Sequence, residues 1–221
     1  AEQVTGQGYR ELLAARILAP LGMSSTTVSV AEARKDSRLA LGYDWDADEK
    51  SWEHKPMRVI DGVAPAGAIN SNVVDMAQWV RFQLGHGQLE GTRLIDAATH
   101  AETWTRQIGI GKDDGYGMGW MLHTWKGQPV VEHGGNIDGF GAQVALLPEA
   151  GIGYVLLTNV SATPLQAGSM ELVWNALLGD IRPKEGKSGE FEPYLGTYTM
   201  NFATFQGAKF QVLEKDGQLA V

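Results

Sequence analysis

The chain has 221 residues, a formal net charge of −8 and no cysteine. Disulfides and thiolate metal sites are therefore excluded, and nucleic acid or an anionic membrane is a poor electrostatic partner. With 43% hydrophobic residues the chain can bury a core, and no apolar run approaches the roughly 20 residues that cross a bilayer.

Tyr9, Leu13 and Ile17 recur at four-residue spacing with Leu12 beside them, which predicts a helix over residues 8–19. Pro20 and Gly22 stop it. Residues 39–45 and 51–57 read as two strands joined by an acidic turn. Asp44, Asp46 and Asp48 invite a calcium-loop reading, but such a loop needs glycine sixth and glutamate twelfth. Those places hold Glu49 and Lys55, so a solvated acidic hairpin is the better reading. Asn72 is placed to cap a helix whose apolar set is Val73, Met76, Ala77, Val80 and Leu84, with Asp75 near its positive end. Gly85 and Gly87 end that helix, and a shorter one is expected over 95–103. Gly109-Ile110-Gly111-Lys112 lacks the strand–turn–helix surroundings of a phosphate loop.

The pattern then changes. Residues 117–125, 129–132, 141–147 and 153–158 read as four strands, and their short connections favour an antiparallel meander. Residues 165–178 form a helix with Met170, Val173, Trp174 and Leu177 on one face. The expected domain plan is one domain over 1–180, a polar linker over 181–192, and the start of a small β domain over 193–221.

Glu132-His133-Gly134-Gly135-Asn136-Ile137-Asp138-Gly139-Phe140 follows the second of those four strands. Acyl transfer needs backbone N–H donors aimed at a developing oxyanion. A strand with small side chains lets a carbonyl approach its backbone closely. Gly134 and Gly135 are expected to supply that clearance, and His133 offers an N–H or a positive charge. Taken alone, the tripeptide is better accounted for by a tight hairpin with an incidental histidine. Glu132 and His133 are adjacent and should face opposite sides of a sheet, which argues against a shared metal site. Among the tryptophans, Trp120 is the candidate for lining a cleft beside His133.

The flanks change the weighting. Leu18-Ala19-Pro20-Leu21-Gly22-Met23 follows a Val4-Thr5-Gly6 lead. Pro65-Ala66-Gly67-Ala68-Ile69-Asn70-Ser71 precedes Asp75-Met76-Ala77. Tyr116-Gly117-Met118-Gly119-Trp120, the His133 segment, Pro148-Glu149 and Leu156-Leu157-Thr158-Asn159 come next. In this order, over roughly residues 1–180, the blocks resemble the C-terminal half of the serine β-lactamase and penicillin-binding-protein superfamily.

That resemblance implies an α/β (α+β) fold, an antiparallel sheet flanked by helices, with the residues from Tyr194 onward resembling the small β-barrel that follows the catalytic domain in D-stereospecific peptidase relatives. It implies that His133 matches the lysine or histidine of the third motif, Gly134 its second position and Gly135 its glycine. Asn136 would then supply one oxyanion-hole N–H. The superfamily nucleophile is a serine in Ser-x-x-Lys, and no serine here is followed three positions later by lysine. The expectation is therefore a part of a serine hydrolase that lacks the nucleophile and is inactive by itself. Histidine in place of lysine leans toward esterase-like or D-amino-acid-peptidase-like members, with D-amino-acid peptides, small esters or β-lactams as substrates. The alternative is a non-catalytic binding or interaction domain of the same fold. The resemblance implies a small-molecule or peptide substrate, no nucleic acid, no metal or cofactor, and a periplasmic or secreted location. An apolar surface left uncovered makes a homo-oligomer or swapped assembly the expected state.

Overall fold

A six-stranded antiparallel sheet organises the larger part of the chain. The computed structural model describes residues 1–112, 114–179, 191–202, 205–215 and 218–220. The chain divides into two units, Ala1–Ile181 and Arg182–Val221. The expected linker over 181–192 lies outside the described residues up to position 190.

In the first unit a helix, α1 (Tyr9–Leu13), continues as a π-turn over Ala14–Leu18. Strands β1 (Gly42–Asp46) and β2 (Ser51–Lys55) form a hairpin apart from the main sheet. Its acidic turn is closed by the Asp46 carboxylate, which accepts from the Asp48 and Glu49 amides at 2.9 Å. Helices α2 (Val73–Leu84) and α3 (Ala97–Thr103) follow. Asn72 caps α2 as its sequence position predicts, accepting from the amides of Val74 and Asp75. Asp96 caps α3 in the same way.

The main sheet comprises β3 (Ile108–Gly109), β4 (Gly115–Tyr116), β5 (Met121–Trp125), β6 (Gln128–Ile137), β7 (Phe140–Leu147) and β8 (Ile152–Thr158). Their spatial order is β8-β7-β6-β5-β4-β3, a meander in which every chain neighbour is a sheet neighbour. Two of the three long hairpins close through two residues of positive φ, Lys126-Gly127 and Asp138-Gly139, the geometry whose twist matches paired strands. Helix α4 (Pro164–Leu178), capped by Thr163, completes the unit.

Side-chain alternation divides the core into two layers. On one face Val131, Val144 and Leu146 pack with Val80 of α2 and with Trp120. On the other, Val130, Ala145 and Leu147 pack against Trp174 of α4, which is fully buried. Met170 and Val173 join this layer as predicted, whereas Leu177 in the last turn is exposed. Two other sequence expectations change. Residues 117–120 are a turn rather than strand, because Gly119 takes a φ of 80° and the Gly117 amide bonds back to the Trp120 carbonyl. Trp120 belongs to the core and does not line a cleft.

α2 and α3 meet at a buried histidine. His100 is 2% exposed, packs against Trp104 and Phe82, and bonds through Nε2 to Gln83 Oε1 at 2.9 Å. Burial, with a smaller effect from neighbouring His86, holds its pKa below the usual histidine value. The unfolded chain therefore binds a proton that the folded one refuses, so stability is present above roughly pH 6.5 and declines as the pH falls below it. Thermal unfolding of the chain at pH 5 should start lower than at pH 7, and His100→Gln should remove much of that difference. An unchanged pH dependence in the variant would assign the effect to other groups.

The second unit contains β9 (Gly196–Phe202), β10 (Phe205–Lys215) and β11 (Gln218–Ala220), an antiparallel sheet in the order β9-β10-β11. Tyr198 stacks on Phe210 at 5.5 Å between ring centres, and its hydroxyl donates to the Tyr194 carbonyl.

Candidate active site

β6 is ten residues long, and its two neighbours do not cover it equally. β7 pairs with it as far as the hairpin, from Val131↔Leu146 to Ile137↔Phe140. β5 stops opposite Glu132, where the pair Met121↔Glu132 ends. Among the described residues, 133–137 therefore form a strand edge with one ladder instead of two. The hairpin closes on Ile137↔Phe140, so hydrogen-bonded pairs with β7 recur at 135 and 133. The amides of Gly134 and Asn136 consequently point along the free edge. The sequence places His133-Gly134-Gly135-Asn136 at a strand end; the structure places all four inside β6, because the ladder to β7 carries the extended backbone to the turn.

The free edge opens on a cleft of about 1350 Å³. His133, Gly135 and Asn136 line one side, and Ser24, Asn70 and Ser71 line part of the rest. The polar wall is fastened by Asp75, a buried carboxylate in the first turn of α2. It accepts from the Ser25 amide at 2.9 Å and the Thr26 hydroxyl at 2.7 Å. Thr26 and Ser71 hydroxyls lie 2.8 Å apart, and Thr27 and Asn70 exchange backbone bonds. At the hairpin tip Asp138 accepts from the Arg58 amide and guanidinium, at 2.8 and 2.7 Å.

His133 is exposed at the mouth of the edge. Its Nδ1 lies 2.7 Å from the Gly134 carbonyl and its Nε2 3.0 Å from the Tyr116 hydroxyl. A carbonyl only accepts, so Nδ1 donates to Gly134, and Nε2 shares the second bond with the Tyr116 hydroxyl. The phenol stands on the short strand β4, which the sheet brings beside β6 through β5. The sequence singles out the Tyr116 block without assigning the tyrosine a role, since only the meander reveals the pairing.

The two glycines have different work. A Cβ on Gly135 would meet nothing within 4 Å, so its bare face is open. A Cβ on Gly134 would stand 2.5 Å from Gln143 Oε1 and 3.3 Å from both the Ala142 carbonyl and Gln166 Nε2, on the side of the sheet under α4. Clearance toward the cleft is thus a property of Gly135, and Gly134 touches the cleft only through its backbone. Asn136 likewise sends its side chain down, accepting from the Ala162 amide at 2.6 Å, while its own amide faces the free edge. Glu132 and His133 face opposite sides as expected: Glu132 is buried beneath α4 and accepts from Gln143 at 2.7 Å.

Known proteins resemble this chain in sequence and in fold. An unguisins hydrolase of Aspergillus campestris is 29% identical over 175 residues, covering 76% of this chain and 32% of the relative. Penicillin-binding protein 4 of Amycolatopsis lactamdurans is 26% identical, covering 89% of this chain and 55% of the relative. The chain thus spans about a third to a half of the length of these relatives. The octameric penicillin-binding protein homologue from Pyrococcus abyssi superposes with a TM-score of 0.73 at 25% identity, covering 98% of this chain and 48% of that one. Both the residues and the fold lead to one assignment: the β-lactamase family model matches residues 1–176, and the chain belongs to that family.

Proposed function

We propose that this chain forms the substrate-binding half of a serine acyl hydrolase whose nucleophile lies outside these 221 residues. The observation that carries the reading is the free edge of β6, with the Tyr116–His133 pair beside it, the amide of Asn136 along it and the open face of Gly135 toward the cleft. A serine Oγ presented from the cleft attacks the substrate carbonyl carbon. The carbonyl electrons move to oxygen, where the Asn136 amide and the nucleophile's own amide stabilise the charge. Collapse expels the leaving group with a proton and leaves an acyl-enzyme, which water then hydrolyses. His133 and Tyr116 supply polar hydrogens and charge at the place where the substrate and the serine network meet. D-amino-acid peptides, small esters and β-lactams are the substrate classes with a carbonyl suited to this edge. The names of the relatives, a hydrolase acting on unguisins and a penicillin-binding protein, accord with that range.

The chain alone should neither hydrolyse nitrocefin or p-nitrophenyl esters nor be labelled by a fluorophosphonate or penicillin probe. An oxyanion hole without its nucleophile retains only a small residual rate. A polypeptide completed with a Ser-x-x-Lys segment should be labelled at that serine. Covalent labelling of any serine in the present chain would overturn the assignment.

Self-association belongs to the same reading. β8 is uncharged along its length and is covered on its faces by α2 and α4, as an interior strand would be. Yet among the described residues no strand pairs with its outer edge. Val74, Leu165 and Leu172 are exposed on the helices α2 and α4. Such an edge is a template for another strand. Light scattering of the isolated chain should give a mass above that of the monomer, and a monodisperse monomer at high concentration would count against it.

A further inference from the structure

The underside of the free edge is unusually polar for a surface packed beneath a helix. We propose that Gln166, in the first turn of α4, is a positioning residue that holds residues 133–137 of β6 at the cleft. Its Nε2 donates to the carbonyls of Ala142 at 2.8 Å and Gly135 at 3.3 Å, two residues that face each other across the β6–β7 ladder. This strand segment has no β5 neighbour, so among the described residues it keeps one ladder. A single ladder leaves a strand end free to twist and bend; the amide of Gln166 bridges that ladder from below and locks its two strands together. Asn136 Oδ1 adds a second tie by accepting from the Ala162 amide, in the loop that leads into α4.

The sequence makes room for this bridge. A Cβ on Gly141 would stand 2.7 Å from Gln166 Oε1 and 2.6 Å from Thr158 Oγ1, and a Cβ on Gly134 would stand 3.3 Å from Gln166 Nε2. Both glycines therefore admit the side chain to the sheet's underside. Gln166 Oε1 is buried and finds no donor among the described residues. The donor end of the amide is aimed at the strand pair that carries the site. The proposal rests on the acyl-hydrolase reading only where it says why the edge must be held: an oxyanion donor works within a fraction of an ångström of its place.

The test begins on the present chain, labelled with ¹⁵N, comparing Gln166→Met with the unsubstituted protein. Methionine keeps the length and loses the donor. The amides of Gly135, Ala142 and Ala162 should exchange with solvent roughly tenfold faster, the ratio expected when one net hydrogen bond is lost. Those of Val131 and Leu146, in the same strands but above the core, should not change. Unchanged exchange at Gly135 and Ala142, or an acceleration shared equally by Val131 and Leu146, overturns the proposal. In the completed hydrolase the same variant should lower kcat by roughly tenfold at constant KM, as loss of an interaction realised in the transition state does. Loosened amides with unchanged kcat would reduce Gln166 to a structural role and also overturn it. Failure of the acyl-hydrolase reading itself is seen separately, as absence of serine labelling in the unsubstituted completed protein.

Discussion

His133→Ala in the completed hydrolase should lower kcat/KM by roughly 10²–10⁴-fold, the range for removing one positioned proton-transfer or electrostatic group. Its melting temperature should scarcely move. The ring is exposed, rests edge-on against Tyr116 at 5.8 Å between centres, and buries little surface whose loss would be felt in the core. Tyr116→Phe should fall in the same direction by a smaller factor, since it removes the hydroxyl that bonds Nε2 and keeps the aromatic contact. Steady-state kinetics with a p-nitrophenyl ester, paired with calorimetry, separate the alternatives. A histidine that serves only the fold would give the reverse pattern, a lowered melting temperature with kcat/KM intact.

Valine placed at each of the two neighbouring glycines should produce opposite failures. At Gly135 the backbone is not left-handed and a Cβ has open space, so Gly135→Val should fold normally. Its side chain would stand in the gap through which a carbonyl reaches the strand. A displacement of about 1 Å in the reacting geometry costs about 10²-fold, so kcat/KM should drop at least that far. At Gly134 the new side chain would drive into Gln143, the Ala142 carbonyl and Gln166. Gln143 cannot swing away cheaply, since it is buried and bonded to Glu132. Overpacking of this kind costs about 1–3 kcal/mol, so Gly134→Val should lower the melting temperature of the isolated chain where Gly135→Val does not. Equal melting temperatures for the two variants would contradict the assigned directions of these residues.

Much of the architecture was legible because it is written in local periodicity. The Asn72 cap, the apolar stripe of α2 and the buried face of α4 around Trp174 follow from spacing and capping chemistry that act within a few residues. The antiparallel meander follows from short turns, and Asp138-Gly139 closes its hairpin with the backbone signs such a turn demands. Family resemblance then directed attention to His133, Gly134, Gly135 and Asn136; the family itself is borne out by the match over residues 1–176.

Local spacing and turn chemistry thus specify most of the elements, their antiparallel order and the segment where chemistry is sought. How that segment is presented depends on long-range packing. No local pattern states that β5 ends opposite Glu132, leaving residues 133–137 on a free edge, because strand pairing depends on register between segments. None distinguishes Gly134 from Gly135, since both read as small; the distinction lies in which face of the sheet each Cα presents to Gln143 or to the cleft. Tyr116 is 17 residues from His133 and Gln166 is 31 residues from Gly135. Such partners are brought together by the burial of Val131 and Trp174 on opposite faces of one sheet, a long-range consequence of hydrophobic packing that propensity and spacing do not encode.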